Sequence, residues 1–470
     1  MGLARWPLDR LGPPGRVGPP RPAPGFRRDG RDARANQRRS MAGLDGRPAA
    51  RGRTNILRRE HHQPDASILV AVVALVAIGI LMVYSSSALR AYINQDDALA
   101  IVGPQILWAA IGLAVMAVVM RLDYRILRLL SVPGYIVAVA LLVLVFVPSL
   151  NRVVGGSARW LVLGPLPAVH PAEIAKLALI VYLAHWLANR GTKVADLRHG
   201  TLPFLLVTAP IVLLVFREPD LGTTMVITAI AFTMFFVAGA SLWHFAAMGA
   251  LGALGVLLVG LRGYQMDRIR AWLDPWADPL GSGFHTIQGL LALGLGGLLG
   301  SGLGESKLAG GLYLPNAWND FIFAIIGEEF GFFGAAVVIA LFGILAVAGI
   351  RTALRAPDTF GALLAAGITA WLCLQAFINI GVVVALLPVT GITLPFISAG
   401  GSSLVVSFAA VGILLSISRE TLDDDRARSE RPRTTDGVGH APADRGRGDR
   451  GAHLPGARRR DLAPAPRPRA

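Results

Sequence analysis

The chain is poor in cysteine, in charge and in acid. Cys373 is the single cysteine among 470 residues, so neither an intrachain disulfide nor a cysteine-based metal site is available. Charged residues make up only 16% of the chain, where a soluble protein carries roughly a quarter. The first 40 residues lack the apolar core of a secretory signal. Acids are outnumbered by bases, giving a net charge of +15, but the excess sits at the ends. Residues 1–64 hold 15 Arg against 5 acids, and residues 419–470 hold 13 against 9. Neither tail interleaves aromatics with its arginines, which argues against nucleic acid as a partner. Arg-rich flanks around an apolar block read as cytoplasmic under the positive-inside bias, and they suit contact with anionic membrane lipids. Three regions follow: an Arg/Pro/Gly-rich tail over 1–64, a membrane domain over 65–420, and a second tail over 421–470. Both tails are expected to be disordered, and Met41 is an alternative start that would leave residues 1–40 out.

What is abundant is apolar sequence, 53% of residues, gathered in runs near 20 residues. Such runs match the roughly 30 Å hydrocarbon core of a bilayer. They fall near 67–87, 101–120, 129–148, 172–188, 203–216, 222–238, 243–262, 321–350, 360–388 and 399–418. Backbone polar groups in lipid must be satisfied within the segment, so each run is expected to be a helix. The fold class is therefore an all-α polytopic membrane protein of about ten transmembrane helices. Short connections carrying Arg121, Arg125, Arg128, Arg190, Lys193, Arg198, Arg351 and Arg355 fall on one side, which puts both termini in the cytoplasm. Two outer connections are long, 149–171 and 263–320. The second, between helices 7 and 8, is a large extracytoplasmic loop whose glycine-rich middle, 291–304, is expected to be a short packed or membrane-dipping helix.

Ionisable groups inside such runs are costly and mark function or internal pairing. Glu173 and Lys176 stand three apart on one helix face and can pair. Glu218 and Asp220 flank Pro219 at the outer end of a run, where Asp220 can cap the next helix. Asn319 or Asp320 reads as a helix N-cap, and Asp320 also as a carboxylate at an outer boundary with apolar neighbours, which would make it a better base. Glu328 and Glu329, some two turns deeper, read as holding the bundle together. From Pro388 to Ser403, two prolines and several glycines forbid a continuous helix, and the segment reads either as a cavity wall or as a simple loop.

These residues carry a resemblance. Met82-Val83-Tyr84-Ser85-Ser86-Ser87, Ala158-Arg159-Trp160-Leu161, Pro171-Ala172-Glu173-Ile174-Ala175-Lys176 and Glu218-Pro219-Asp220-Leu221-Gly222-Thr223 occur in that order. Tyr313-Leu314-Pro315, Asn319-Asp320-Phe321-Ile322-Phe323-Ala324, Ile326-Gly327-Glu328-Glu329, Leu394-Pro395-Phe396-Ile397-Ser398 and Gly400-Gly401-Ser402-Ser403 complete the series. Together they resemble the SEDS family (shape, elongation, division and sporulation), of FtsW and RodA type. Gly302-Leu303-Gly304-Glu305-Ser306 is similar to the loop of the division branch, FtsW.

The resemblance implies a peptidoglycan glycosyltransferase that polymerises lipid II, in the bacterial plasma membrane at the division septum. It implies Asp320 as the essential acid, acting as general base. It also implies a class B penicillin-binding protein, and other division proteins, as partners. The substrate-binding set is expected to draw on Arg159, Trp160, Arg268, Arg270, Lys307, Glu173, Lys176, Asp220, Ser398 and Ser402. Cations among these would meet the pyrophosphate leaving group. A divalent cation, magnesium or manganese, could share that task, though the chain shows no convincing ligand cluster. The sequence departs from the family pattern at Trp318, His170, Ala399 and Lys307. Alternatives are a lipid II flippase, an elongation-type RodA-like polymerase, and a non-catalytic division scaffold.

Overall fold

A computed structural model describes residues 63–154, 157–162, 168–255, 264–311, 313–314 and 317–420. The expected disorder of residues 1–62 and 421–470 lies outside the described residues, as do Pro315 and Asn316. In chain order the helices are α1 (Ala66–Gln95), α2 (Val102–Val119), α3 (Ile126–Leu144), α4 (Pro171–Ala188), α5 (Leu202–Arg217), α6 (Leu221–Val237) and α7 (Leu242–Gly255). They continue with α8 (Tyr264–Leu273), α9 (Phe284–Gly296), α10 (Lys307–Gly310), α11 (Ile322–Arg355), α12 (Thr359–Val383) and α13 (Gly401–Ser418). Among the described residues, eight of these are long and apolar enough to cross a membrane: α1 to α4, α5 with the turn before it, and α11 to α13. The molecule is an integral membrane protein. α6 has 17 residues and the described part of α7 has 14. Over the described residues, each expected apolar run falls on a helix; residues 256–262 of the seventh run lie outside them.

The starts of these helices are readable in the sequence. Asp65 accepts from Ser67 N (2.8 Å) at α1, Asp220 from Thr223 N (3.0 Å) at α6, and Asp358 from Gly361 N (2.7 Å) at α12. Each satisfies an otherwise orphaned donor of a first turn. The expected cap of α11 is different. Its N-cap position is Phe321, with no side-chain bond, so neither Asn319 nor Asp320 serves there.

α4, α12 and α13 form the centre. Their apolar windows are 61%, 67% and 67% buried, against 17% for α3. α13 runs along α2, α12 along α11, α6 and α4, and α3 along α4. A helix apolar on all faces is the expected composition for such central positions.

The two long connections hold structure the sequence reading did not assign. Within 149–171, β1 (Asn151–Val154) pairs antiparallel with β2 (Ser157–Leu161), placing Arg152 opposite Trp160. In the larger loop the packed helix lies earlier than expected, at Phe284–Gly296, and 297–304 is irregular. The reason is a break in α11. Gly331 adopts φ 65° and ψ −162°, freeing backbone groups on both sides. Phe332 N donates to Gly297 O (2.9 Å), while Ser301 N and Gly302 N donate to Glu328 O (2.9 Å) and Glu329 O (3.0 Å). Irregular backbone at membrane depth is tolerated where protein covers and satisfies it. Glu328 and Glu329 hold this region as expected: Glu328 accepts from Ser306 Oγ (2.5 Å) and Lys307 N (2.8 Å), and Glu329 from Ser85 Oγ (2.5 Å).

Candidate active site

Between α12 and α13 the chain leaves helical geometry from Val384 to Gly400. Gly391 takes φ +76°, a left-handed conformation that costs glycine least. This interruption forms one wall of a cavity of about 320 Å³. Gly391, Ile392, Thr393, Ala399 and Gly400 line it, with Ser402 and Ser403 from the start of α13. The other walls come from β2 (Arg159, Trp160), the start of α4 (His170, Glu173, Lys176), the start of α6 (Asp220, Thr223, Val226), Gln375 of α12, and Asn319 and Asp320 just ahead of α11. Of the two readings of 388–403, the cavity wall is the one observed.

Asp320 lies beside Gly391: a β-carbon on that glycine would stand 3.6 Å from Asp320 Oδ2. Burial pushes its carboxyl up to about 6, against the pull of Arg268 and Arg159 and with a small push from Asp220. It is thus ionised at neutral pH yet basic enough to accept a proton.

A second polar group crosses the cavity. Lys176 Nζ, 2% exposed, donates to Glu173 Oε1 at 2.8 Å and to Gln375 Oε1 at 2.6 Å, and lies 4.9 Å from the Trp371 ring. Glu173 Oε2 accepts from Ser403 Oγ (3.1 Å). The pair expected from the i, i+3 spacing is formed, with its charge satisfied on every side. Such satisfaction is what makes a buried ion pair tolerable.

The third group is the turn before α6. Arg159 Nη2 donates to Pro219 O (2.6 Å), and its Nη1 stands 3.8 Å from Asp220 Oδ2. Asp220 both caps α6 and lines the cavity. His170 Nε2 approaches the same oxygen at 3.9 Å. Burial holds the His170 imidazole below its usual pKa, against the pull of Glu173 and Asp220, so the ring is neutral at pH 7. Glu218, beside this turn, is 1% exposed, and neither of its oxygens has a partner among the described residues. Burial first, then Asp220, pushes it up to about 8.

Of the residues singled out from sequence, Arg159, Trp160, Glu173, Lys176, Asp220, Asp320 and Ser402 line the cavity. The others stand elsewhere. Ser398 turns its hydroxyl to backbone, donating to Asn319 O (2.6 Å) and accepting from Leu394 N (2.8 Å). Arg268 stands at the margin, donating to Val389 O (3.0 Å). Arg270 is exposed beside Asp267, at 4.0 Å. Lys307 is exposed on α10. Loop charge alone did not reveal which cations converge, because convergence depends on how the loops return. The sequence reading passed over Gln375 and Asn379, whose only signal was weak: two amides four apart on one face of an apolar run. Among the described residues, no group of three or more His, Cys, Asp or Glu side chains converges as a metal site would require. Two of the three cavity acids are already engaged, Glu173 by Lys176 and Asp220 by Thr223.

Comparison with known proteins agrees with this architecture. The family model for the FtsW, RodA and SpoVE cell cycle proteins matches residues 66–423. Stage V sporulation protein E of Bacillus subtilis (strain 168) is 43% identical over 357 residues, 76% of this chain and 97% of its own. The probable peptidoglycan glycosyltransferase FtsW of Geobacter sulfurreducens (strain DL-1 / KN400) is 42% identical over 362 residues, 77% of this chain and 96% of its own. A chain solved in work on structural coordination of polymerization and crosslinking by a peptidoglycan synthase complex superposes with TM-score 0.63 at 32% identity, covering 77% of this chain and 99% of that one. The rod shape determining protein RodA of Thermus thermophilus superposes with TM-score 0.56 at 29% identity, covering 77% and 98%.

Proposed function

Because the chain belongs to the FtsW, RodA and SpoVE family of cell cycle proteins, we propose that it is a peptidoglycan glycosyltransferase of the division type, polymerising lipid II with Asp320 as general base. The observation that carries this reading is the Asp320 carboxyl on the cavity wall, raised to about 6 by burial and flanked by cationic side chains. An acceptor sugar hydroxyl placed beside Gly391 gives its proton to Asp320 as its oxygen attacks the anomeric carbon of the donor. The bond from that carbon to the pyrophosphate breaks, and the undecaprenyl pyrophosphate leaves with the electron pair. One displacement without a protein nucleophile inverts the anomeric carbon. Negative charge grows on the pyrophosphate, and Arg159 and Lys176 are the cations that line the cavity to meet it. Of the lining acids, Glu173 and Asp220 are engaged by Lys176 and Thr223, and no step here is routed through a divalent cation.

The wider setting belongs to the same proposal. In that reading α6 and α7 span alongside the eight long helices, both termini are cytoplasmic as the charge bias favours, and the cavity and the β1–β2 hairpin face outside, where lipid-linked precursor is used. The solved relative from a peptidoglycan synthase complex supports a class B penicillin-binding protein as partner, and the division-type relatives support the septum as the place of action.

The test is gel analysis of glycan strands made from lipid II by purified protein, with and without the partner, for the parent, Asp320→Ala and Asp320→Asn. The expected result is polymer from the parent and none from either variant, with both variants inserted and folded. Polymer from Asp320→Ala at the parental rate overturns the assignment of the base. Precursor translocation without any product points instead to a flippase.

A further inference from the structure

The peptide segment carrying Asp320 is held at three successive carbonyls. Trp318 O accepts from Ala399 N (2.9 Å), Asn319 O from Ser398 Oγ (2.6 Å), and Asp320 O from Asn379 Nδ2 (2.9 Å). The first two donors belong to the interrupted segment and the third to α12. Asn379 reaches further. The same Nδ2 donates to Ile392 O (2.8 Å), next to Gly391. Both protons of one amide are thus spent on the two strands of backbone that bracket the Asp320 carboxyl. That fixes the amide's orientation, because the flipped form would set its oxygen against two carbonyl oxygens. Asn379 is 1% exposed, and its Oδ1 has no hydrogen-bond partner among the described residues. A buried acceptor left without a donor is unfavourable. An apolar residue of similar size would remove that orphan but leave two carbonyls, Asp320 O and Ile392 O, without the donor they share, so what the amide contributes is the bond it makes to each of these two segments.

The geometry points to Asn379 as a positioning residue, whose amide staples the Asp320 peptide to the Gly391 turn and so holds the carboxyl at the cavity wall in the orientation proton transfer needs. Ser398 is the auxiliary clamp on the preceding peptide. The inference rests on the reading of Asp320 as the base. It adds that the precision of that base is supplied from α12 and not from α11, which follows it and whose N-cap position, Phe321, makes no side-chain bond. Proton transfer and in-line attack depend steeply on placement: a displacement of about 1 Å costs on the order of 10²-fold in rate.

The experiment compares the full-length parent, Asn379→Leu, Asn379→Gln and Asp320→Ala in lipid II polymerisation. Asn379→Leu keeps the volume, removes the orphan oxygen and loses both donors. It is expected to melt somewhat lower than the parent, because Asp320 O and Ile392 O lose their shared donor, but also, per folded molecule, to lower kcat by about 10- to 100-fold and to leave KM for lipid II within about threefold. Its acid limb should also move. A loosened carboxyl gains solvent, so the limb falls from about 6 toward the ordinary carboxylate range, with Arg268, Arg159 and Asp220 the charged groups acting on it in both proteins. Asn379→Gln, which keeps an amide on a longer stem, should recover part of kcat. A structural role predicts a change in melting temperature with kcat per folded molecule and the acid limb unchanged. Parental kcat and limb in folded Asn379→Leu overturn the inference. Should that variant fail to fold, the Gln variant decides: parental kcat and limb overturn the inference, and reduced kcat with a shifted limb upholds it. An active Asp320→Ala rejects the base assignment as well. An inactive Asp320→Ala beside a parental Asn379→Leu rejects the positioning role alone.

Discussion

Asp320 can accept a proton only when ionised, and burial raises its carboxyl to about 6. The sign follows directly. Below that pH the group is protonated and useless as a base; above it the group is available. kcat/KM for polymerisation should therefore fall on acidification with a midpoint near 6, and Asp320→Ala should have no such limb to lose. Glu218 works the other way, on stability. Its carboxyl is raised from 4.5 to about 8, first by burial and then by Asp220. The folded state thus binds a proton that the unfolded chain releases above about 4.5. Stability is lost as pH rises between those values, and is lowest above 8. Glu218→Gln should leave melting at pH 5 nearly unchanged and raise it at pH 8.5, by on the order of a few kcal/mol. Thermal unfolding of the two proteins in detergent at both pH values measures this. Lys176 presents a third case. Lys176→Met leaves Glu173 charged and buried without its partner, which costs about 3–5 kcal/mol. Lys176→Met with Glu173→Gln should recover much of that loss in melting, though not activity, if Lys176 serves the leaving group. In sequence, the Glu173–Lys176 pair and the acid at 320 were legible because ionisable residues in apolar surroundings are rare and conspicuous. Asn379 and Gln375 were not. An amide gives a weak signal until its partners are known, and those partners, Asp320 O and Thr393 O, lie in distant parts of the chain.

At the scale of elements, two breaks in helical order carry the architecture. The Val384–Gly400 interruption was legible from its prolines and glycines, because those residues cannot continue a helix. The break at Gly331 was not, because that apolar run holds Gly327, Gly331, Gly334, Gly343 and Gly349, each compatible with an unbroken helix, and nothing local marks which one breaks it. Its geometry shows why glycine is needed. The φ of 65° falls in the left-handed region, and a β-carbon would run into Gly300 N and Leu298 O. Gly331→Ala should lower stability by about 1–3 kcal/mol from the backbone conformation alone. It should also loosen the 297–302 loop, seen as faster backbone amide exchange at Ser301 and Gly302. Equal exchange in both proteins would mean that the loop does not depend on this break. The same reasoning explains the misplaced helix of the outer loop. Leu291–Gly304 reads as apolar and small, but tertiary hydrogen bonds to α11 claim its second half.

Across the whole molecule, arginines gather at one end. Arg125, just ahead of α3, and Arg128, in its first turn, meet Asp358, between α11 and α12, at 3.1 and 3.0 Å, and Arg125 also reaches Glu420 after α13 at 3.2 Å. This seam closes the end that the charge bias assigns to the cytoplasm. Labelling tests the orientation. In a Cys373→Ser background, Asp278→Cys should react with an impermeant maleimide added to intact spheroplasts, and Arg190→Cys only after lysis. The reverse pattern would refute the assignment and, with it, the outward-facing cavity.

Composition and the spacing of apolar runs were enough to establish a bundle of membrane helices and its charge asymmetry. Solvation of each segment by lipid is a local property, readable wherever twenty residues are apolar. Which polar groups meet in one cavity was settled by how six separate stretches return to the same place: β2, the start of α4, the start of α6, the turn ahead of α11, Gln375 of α12, and the interrupted segment leading into α13. Electrostatics and hydrogen bonding act over a few ångströms, and residues such as Arg159 and Asp220, or Asn379 and Asp320, are 60 or so positions apart in the chain. Their proximity is a consequence of packing, so no local pattern in the sequence could encode it in readable form.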